Sequence, residues 1–234
     1  MLCRLVMMIS SMLMMSSLYA SDLGIIFGQN TRMIMTSDEK TIGLNVGNYN
    51  SKHYLVHAKV VESDQNYTTS SNFIITPELS EINPDSKKTF SIRRLEGNYP
   101  EDRESLVYIV GRFIPKVTSN NSNAKVELSL TFKMKMFLRP ESLDIGDAVE
   151  KSVNEVKYEY INEKLKITNL SPYHLTYYKL IVDRIEVSIP DGLKMLKPFE
   201  SIYIECKAKP HKITWSFIGD SGFETAQVTR NFTN

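Results

Sequence analysis

Residues Lys125 to Arg139 read K-V-E-L-S-L-T-F-K-M-K-M-F-L-R, and Pro140 follows. Every even position from Val126 to Leu138 is apolar: Val126, Leu128, Leu130, Phe132, Met134, Met136 and Leu138. The odd positions are polar or charged, Phe137 apart. Side chains along a strand point to opposite faces in turn, so this period of two predicts one long β-strand over 125–138 with a single apolar face. At about 3.3 Å per residue it would run on the order of 45 Å, where ordinary strands have about 5–6 residues. A strand of that length outruns the core of one small domain. Its leading half, Val126 to Phe132, is expected to offer an apolar row to another chain, because an exposed apolar edge invites strand pairing. Pro140 has no amide hydrogen to add to a ladder and ends the strand.

Shorter strand-like runs lie on both sides of it. Before it come Thr41–Val46, Tyr54–Val61, Asn72–Ile75, Thr89–Arg93 and Leu106–Phe113. After it come Lys157–Ile161, Lys164–Thr168, Thr176–Val182, Ile185–Ile189, Ser201–Glu205 and Ile213–Phe217. About seven short strands per 100 residues, with turn residues between them and no long helical period, predict an all-β chain of immunoglobulin-like sandwiches. Two such sets predict two domains, 21–140 and 141–234, divided at Arg139-Pro140-Glu141-Ser142. The polar segment Asp144–Asn154 reads as a loop or a short turn of helix. Lys116–Lys125, K-V-T-S-N-N-S-N-A-K, reads as a polar loop that feeds the long strand.

Residues 1–20 have the character of an export signal: Arg4 is the only charge, a Met- and Leu-rich stretch follows, and Leu18-Tyr19-Ala20 offers a cleavage site. That stretch is short and broken by serines, which argues against a retained anchor. The chain carries 28 basic and 27 acidic residues, and loss of Arg4 brings the balance to zero. Neither a nucleic-acid partner nor an anionic membrane surface is expected from that balance, and with no later segment long and apolar enough to span a bilayer no membrane insertion is expected. Cys3 would leave with the signal, so Cys206 would stand alone and no internal disulfide is expected.

No enzyme is read here. The histidines His53, His57, His174 and His211 are scattered, and no metal or other cofactor site is expected from them. The chain lacks a G-x-S-x-G elbow, a phosphate-binding glycine loop and an H-E-x-x-H motif. No catalytic residue is assigned. Trp215 reads as a core residue.

Several stretches together resemble the periplasmic chaperones of the chaperone–usher pathway for pilus (fimbrial) assembly. Pro100-Glu101-Asp102-Arg103-Glu104-Ser105-Leu106-Val107-Tyr108 with Arg112-Phe113-Ile114-Pro115 is similar to that family's most recognisable segment. Thr31-Arg32-Met33-Ile34 resembles its first strand, and Lys135-Met136-Phe137-Leu138-Arg139-Pro140 the end of its long seventh strand. Asn169-Leu170-Ser171-Pro172-Tyr173 and Gly219-Asp220-Ser221-Gly222 resemble two motifs of its second domain. Val110-Gly111 departs from the usual Asn and apolar residue, and Gly111 is expected to loosen its strand. Met35 stands where an aromatic is common. The modest 116–125 loop and the lack of paired cysteines resemble the short-loop branch of the family.

The resemblance implies two sandwiches in a boomerang arrangement and a set of working residues. Arg32 and Lys135 would grip the C-terminal carboxylate of a pilus subunit, with Lys133 as a control that matters less. Taken without the resemblance, they are two solvated cations. Val126, Leu128, Leu130 and Phe132 would fill the groove of an incomplete subunit, chaperone–pilin complementation being the type example of strand addition. Their alternative role is to face their own core, which is the expectation for Met134 and Met136. Glu104, Arg139 and Asp220 would form an ionic network fixing the two domains. The implied partners are pilus subunits and an outer-membrane usher, with self-association of the free protein through its exposed strands. The competing interpretation is a two-sandwich adhesin or structural binding module without chaperone activity.

Overall fold

The structure, a computed structural model, describes residues 24–63, 65–95, 97–116 and 128–232. The expected signal, residues 1–20, lies outside these residues, and so does Val126.

In chain order the first half carries β1 (Ile25–Phe27), β2 (Arg32–Thr36), β3 (Thr41–Asn48), β4 (Tyr54–Val61), β5 (Phe73–Thr76), β6 (Leu79–Ile82), β7 (Ser86–Arg94), β8 (Ser105–Pro115) and β9 (Leu130–Arg139). They form two sheets, ordered β1-β3-β7-β5 and β2-β9-β8-β4-β6. Alternation sets which side chains fill the space between them. In β4, Tyr54, Val56, Ala58 and Val60 turn inward, and in β9 Met134, Met136 and Leu138 do the same. They meet Leu44, Phe90, Ile92, Ile109 and Phe113 in one core.

The second half carries β10 (Val156–Ile161), β11 (Lys164–Asn169), β12 (Leu175–Val182), β13 (Ile185–Glu186), β14 (Met195–Leu196), β15 (Ser201–Glu205), β16 (Lys212–Phe217) and β17 (Val228–Asn231). Its sheets run β10-β11-β15 and β13-β12-β16-β17, with β14 also paired to β12. Trp215 is fully buried in this second core, and its indole N–H donates to the Val153 carbonyl at 2.8 Å. Between the halves lie a 3₁₀ turn at Glu141–Leu143 and one helical turn at Ala148–Lys151. The chain is therefore all-β apart from short turns, in two immunoglobulin-like sandwiches.

Among the described residues the long strand runs over Leu130–Arg139, and residues 125–127 of the expected span lie outside them. The β8–β9 ladder ends at Phe113 opposite Leu130. Pro115 would stand opposite residue 128 and has no amide hydrogen to carry the pairing further. The run expected over Ile185–Ile189 is a strand at Ile185–Glu186, with one further bond from the Val187 amide to the Leu180 carbonyl at 2.8 Å.

The start of the chain is split between the two sheets. β1 runs antiparallel to β3, and β2 runs parallel to β9, with Arg32 opposite Lys135. Gly28 makes the crossing: its φ is +82°, and a Cβ there would lie 2.2 Å from Met134 Cε. Gly111 does not loosen β8. Its pairing runs unbroken from Ala58 on one side to Phe132 on the other, and the Phe27 ring occupies the space a side chain would need.

Candidate functional site: the cleft between the two sandwiches

Two strands bring together the pair expected to act as the anchor. The parallel register of β2 on β9 sets Arg32 beside Lys135. Arg32 is only 4% exposed, and its Nε has no hydrogen-bond partner among the described residues. Its guanidinium carbon lies 5.3 Å from the centre of the Phe137 ring. Burial lowers the Arg32 pKa and outweighs the nearby carboxylates of Asp220, Glu104 and Glu150. A buried donor without an acceptor costs about 1–3 kcal/mol, a deficit that an incoming carboxylate would remove. Lys135 is half-buried. Lys133, two residues earlier on the same face, is exposed, with Nζ 5.5 Å above the Tyr108 ring. An open cavity of about 260 Å³ reaches Arg32 and is lined from both halves of the chain, by Gly28, Gln29 and Asn30 on one side and Asp220 on the other.

Arg139, Glu104 and Asp220 meet at the floor of the cleft. Arg139 Nε donates to Glu104 Oε1 at 2.9 Å, and its two terminal nitrogens donate to the two Asp220 oxygens at 2.8 Å each. Arg139 is 2% exposed and Glu104 is equally enclosed. Burial by itself would lower the Arg139 pKa, but the hydrogen bonds and charges of Asp220 and Glu104 raise it well above its ordinary value. Asp220 also accepts the Ala148 amide at 2.9 Å, and Asp144 lies 3.5 Å from Arg139.

His174 belongs to this cluster and was not singled out from the sequence. Its backbone amide donates to Glu104 Oε2 at 2.8 Å, its ring Nδ1 lies 3.3 Å from the same oxygen, and its ring packs on Phe137 at 5.4 Å between centres. The signal for it is its place directly after the N-L-S-P-Y stretch. In that turn Asn169 donates to the Tyr173 carbonyl at 2.7 Å and accepts the Ser171 amide at 2.9 Å. The turn aims the next residue into the first domain. The backbone joins in as well: the Glu104 amide donates to the Pro172 carbonyl at 2.9 Å.

The expected donor residues divide. Val126 lies outside the described residues. Leu128, two residues ahead of β9, is 75% exposed, and Leu130, its first residue, is 42% exposed. Phe132 turns into its own sandwich instead. It stacks on Phe27 at 5.9 Å and meets the Phe113 ring edge-on at 5.3 Å, because an aromatic at that position completes the rim of the first core.

The remaining reactive side chains are dispersed. His57 faces Glu78, His53 faces Asn83 and His211 faces Asp183. The Cys206 thiol donates to the Ala208 carbonyl at 3.1 Å. Among the described residues no group of three or more His, Cys, Asp or Glu could hold a metal ion, and no helix is long and apolar enough to cross a membrane.

Known proteins share this architecture. Residues 26–144 match the pili and flagellar-assembly chaperone family, PapD N-terminal domain, and residues 154–229 match the pili assembly chaperone PapD, C-terminal domain. The chain is 26% identical over 216 residues to the chaperone protein PsaB of Yersinia pestis, covering 82% of this chain and 78% of that one. It is 27% identical over 218 residues to the probable fimbrial chaperone protein ElfD of Escherichia coli strain K12, covering 91% and 89%. The crystal structure of the Escherichia coli chaperone DraB superposes with a TM-score of 0.76 at 27% identity, over 89% of this chain and 98% of that one. In fold alone, the SafB chaperone structure from Salmonella enterica, solved in complex with the SafA pilin, superposes with a TM-score of 0.78 at 22% identity, over 91% and 99%. With both domains matched in order across an interdomain cleft, this chain belongs to the PapD family of pilus-assembly chaperones.

Proposed function

We propose that this chaperone works in the periplasm, completes the fold of incoming pilus subunits by donating the strand that leads into β9, and passes them to an outer-membrane usher. The observation that carries the proposal is Arg32: a buried guanidinium with an unpartnered Nε, beside Lys135, at the end of an open cleft. It suits a carboxylate at the C-terminus of an extended chain. Arg32 offers a planar set of donors, and Lys135 adds a mobile charge. From that anchor, a subunit strand would run along β9 toward Leu130 and Leu128, whose exposed side chains would enter the subunit's unfilled groove. Main-chain bonds give such a complex affinity, and alternate side chains give it register. Each leucine that becomes fully buried contributes about 1.5–3 kcal/mol before ordering costs. Phe132 remains with its own core and sets the near end of the donated row. Exchange at the usher needs no nucleotide, because the strand supplied by the next subunit replaces that of the chaperone.

The test is affinity capture of the tagged protein from periplasm, expressed beside its neighbouring genes, with mass spectrometry of what is recovered. The expected result is a stoichiometric partner of pilus-subunit size, lost in Arg32→Ala and in Lys135→Ala and kept in Lys133→Ala. A partner that survives both cleft substitutions would favour a two-sandwich binding module instead.

A further inference from the structure

Phe137 breaks the alternation of β9. It shares the outward parity of Lys133 and Lys135, yet it is only 2% exposed. Two groups cover it. From β2, Arg32 brings its guanidinium carbon to 5.3 Å from the ring centre. From the second domain, His174 brings its ring to 5.4 Å, tilted by 38°. His174 is itself tied to Glu104 through its amide and its Nδ1, and Glu104 accepts Arg139.

The Nε of Arg32 has no hydrogen bond to fix the direction of the head group. The contact its head group makes is with the Phe137 ring, while Asp220, Glu104 and Glu150 act on it through charge alone. A guanidinium stacked on an aromatic face is held by charge–quadrupole attraction while its N–H groups point outward in their own plane, free for a carboxylate. An aliphatic residue of similar bulk would fill the space without that attraction.

We propose that Phe137 is the positioning residue of the anchor: its ring holds the Arg32 guanidinium ready in the cleft, and His174, fixed by Glu104, holds the ring. This inference rests on reading Arg32 as the carboxylate anchor. It makes the interdomain network a support for subunit capture as well as a domain clamp. Phe137 is then one part of a continuous chain of contacts from Arg32 to Arg139.

The experiment uses the full chain and a synthetic peptide of alternating apolar and polar residues, made with a free C-terminal carboxylate and as its C-terminal amide. Titration by fluorescence anisotropy gives the ratio of the two affinities, a quantity that general loss of packing does not change. A charge-assisted bond of ordinary strength predicts that the wild type prefers the acid by about tenfold or more. Arg32→Ala should abolish the preference, Phe137→Leu should reduce it to about threefold or less, and Phe137→Tyr should keep it. A wild-type ratio retained in Phe137→Leu overturns the positioning role and leaves the anchor standing. A ratio near one in the wild type, or one unchanged in Arg32→Ala, overturns the anchor and the positioning role together. A measurement on the unaltered protein removes any dependence on how the variant folds. The Arg32 Nε–H resonance, assigned by its loss in Arg32→Lys, should be displaced by the ring current of Phe137, and an undisplaced resonance would also overturn the proposal.

Discussion

Arg139 serves two carboxylates from two domains with one guanidinium, and almost no water reaches it. An intact buried ion pair adds little net stability, but removing one partner strands the other charge. Arg139→Ala should therefore cost about 3–5 kcal/mol in urea unfolding followed by circular dichroism. Arg139→Lys should recover little of it, since an ammonium cannot fork between Glu104 and Asp220. A cost under about 1 kcal/mol would show that the Glu104 carboxylate finds water once Arg139 is gone. A different pair is expected to contribute to the alkaline limit. The Tyr158 and Tyr177 hydroxyls lie 2.8 Å apart, and burial raises both pKa values above the ordinary tyrosine range. In the unfolded chain these groups ionise near about pH 10. Stability from the pair is thus complete below that pH and falls as pH rises beyond it, since the unfolded state loses protons first. Thermal melts of Tyr158→Phe against wild type between pH 9 and 11 should show a shallower alkaline decline in the variant, and parallel curves would exclude this pair as the cause.

At the scale of the element, β8 and β9 carry the case. Gly111 allows the Phe27 ring to pack against β8, where a Cβ would clash with Phe27 Cε2. Gly111→Val should destabilise the first domain by about 1–3 kcal/mol through overpacking. A neutral result in the same urea assay would mean that Phe27 can swing away without loss. Leu128 makes the opposite prediction. It stands exposed ahead of β9, so Leu128→Glu should leave the melting temperature of the free protein within about a degree, because surface substitutions rarely shift stability by more than about 0.5 kcal/mol. The same variant should recover no subunit in the affinity capture, and normal recovery would remove Leu128 from the donated row.

For the whole molecule, the question is what keeps two sandwiches at one angle. Asp220 is the only member of the Arg139–Glu104–Asp220 set that comes from the second domain, and it arrives on the Gly219–Gly222 turn. Its partners in the second domain are the Ala148 amide and, through its own amide, Glu150. Asp220→Ala should leave each sandwich folded and broaden the distribution of interdomain distances in small-angle scattering. An unchanged profile would assign the angle to the Glu104–His174 and Glu104–Pro172 contacts instead. If the chain of contacts from Arg139 to Arg32 supports capture, the same variant should also weaken the acid-over-amide preference of the peptide assay.

The sequence by itself determined the fold class and the inward face of β9, because alternation is local: Met134, Met136 and Leu138 can share a face only in a strand. Local signals also ended β9 before Pro140, and the family motifs pointed to the charged residues of the cleft. Tertiary structure decided what those residues touch. Nothing near Phe132 in sequence says that Phe27 and Phe113 flank it, and so its packing against the core had to be seen. The start of β9 depends on where its partner β8 meets Pro115. Gly111 reads as a weakness until the ring of Phe27, more than eighty positions earlier, is laid against it. His174 has no charge pattern around it that names Glu104. It is brought there by the packing of one domain on the other, and long-range packing is the part of the structure that no short window of sequence contains.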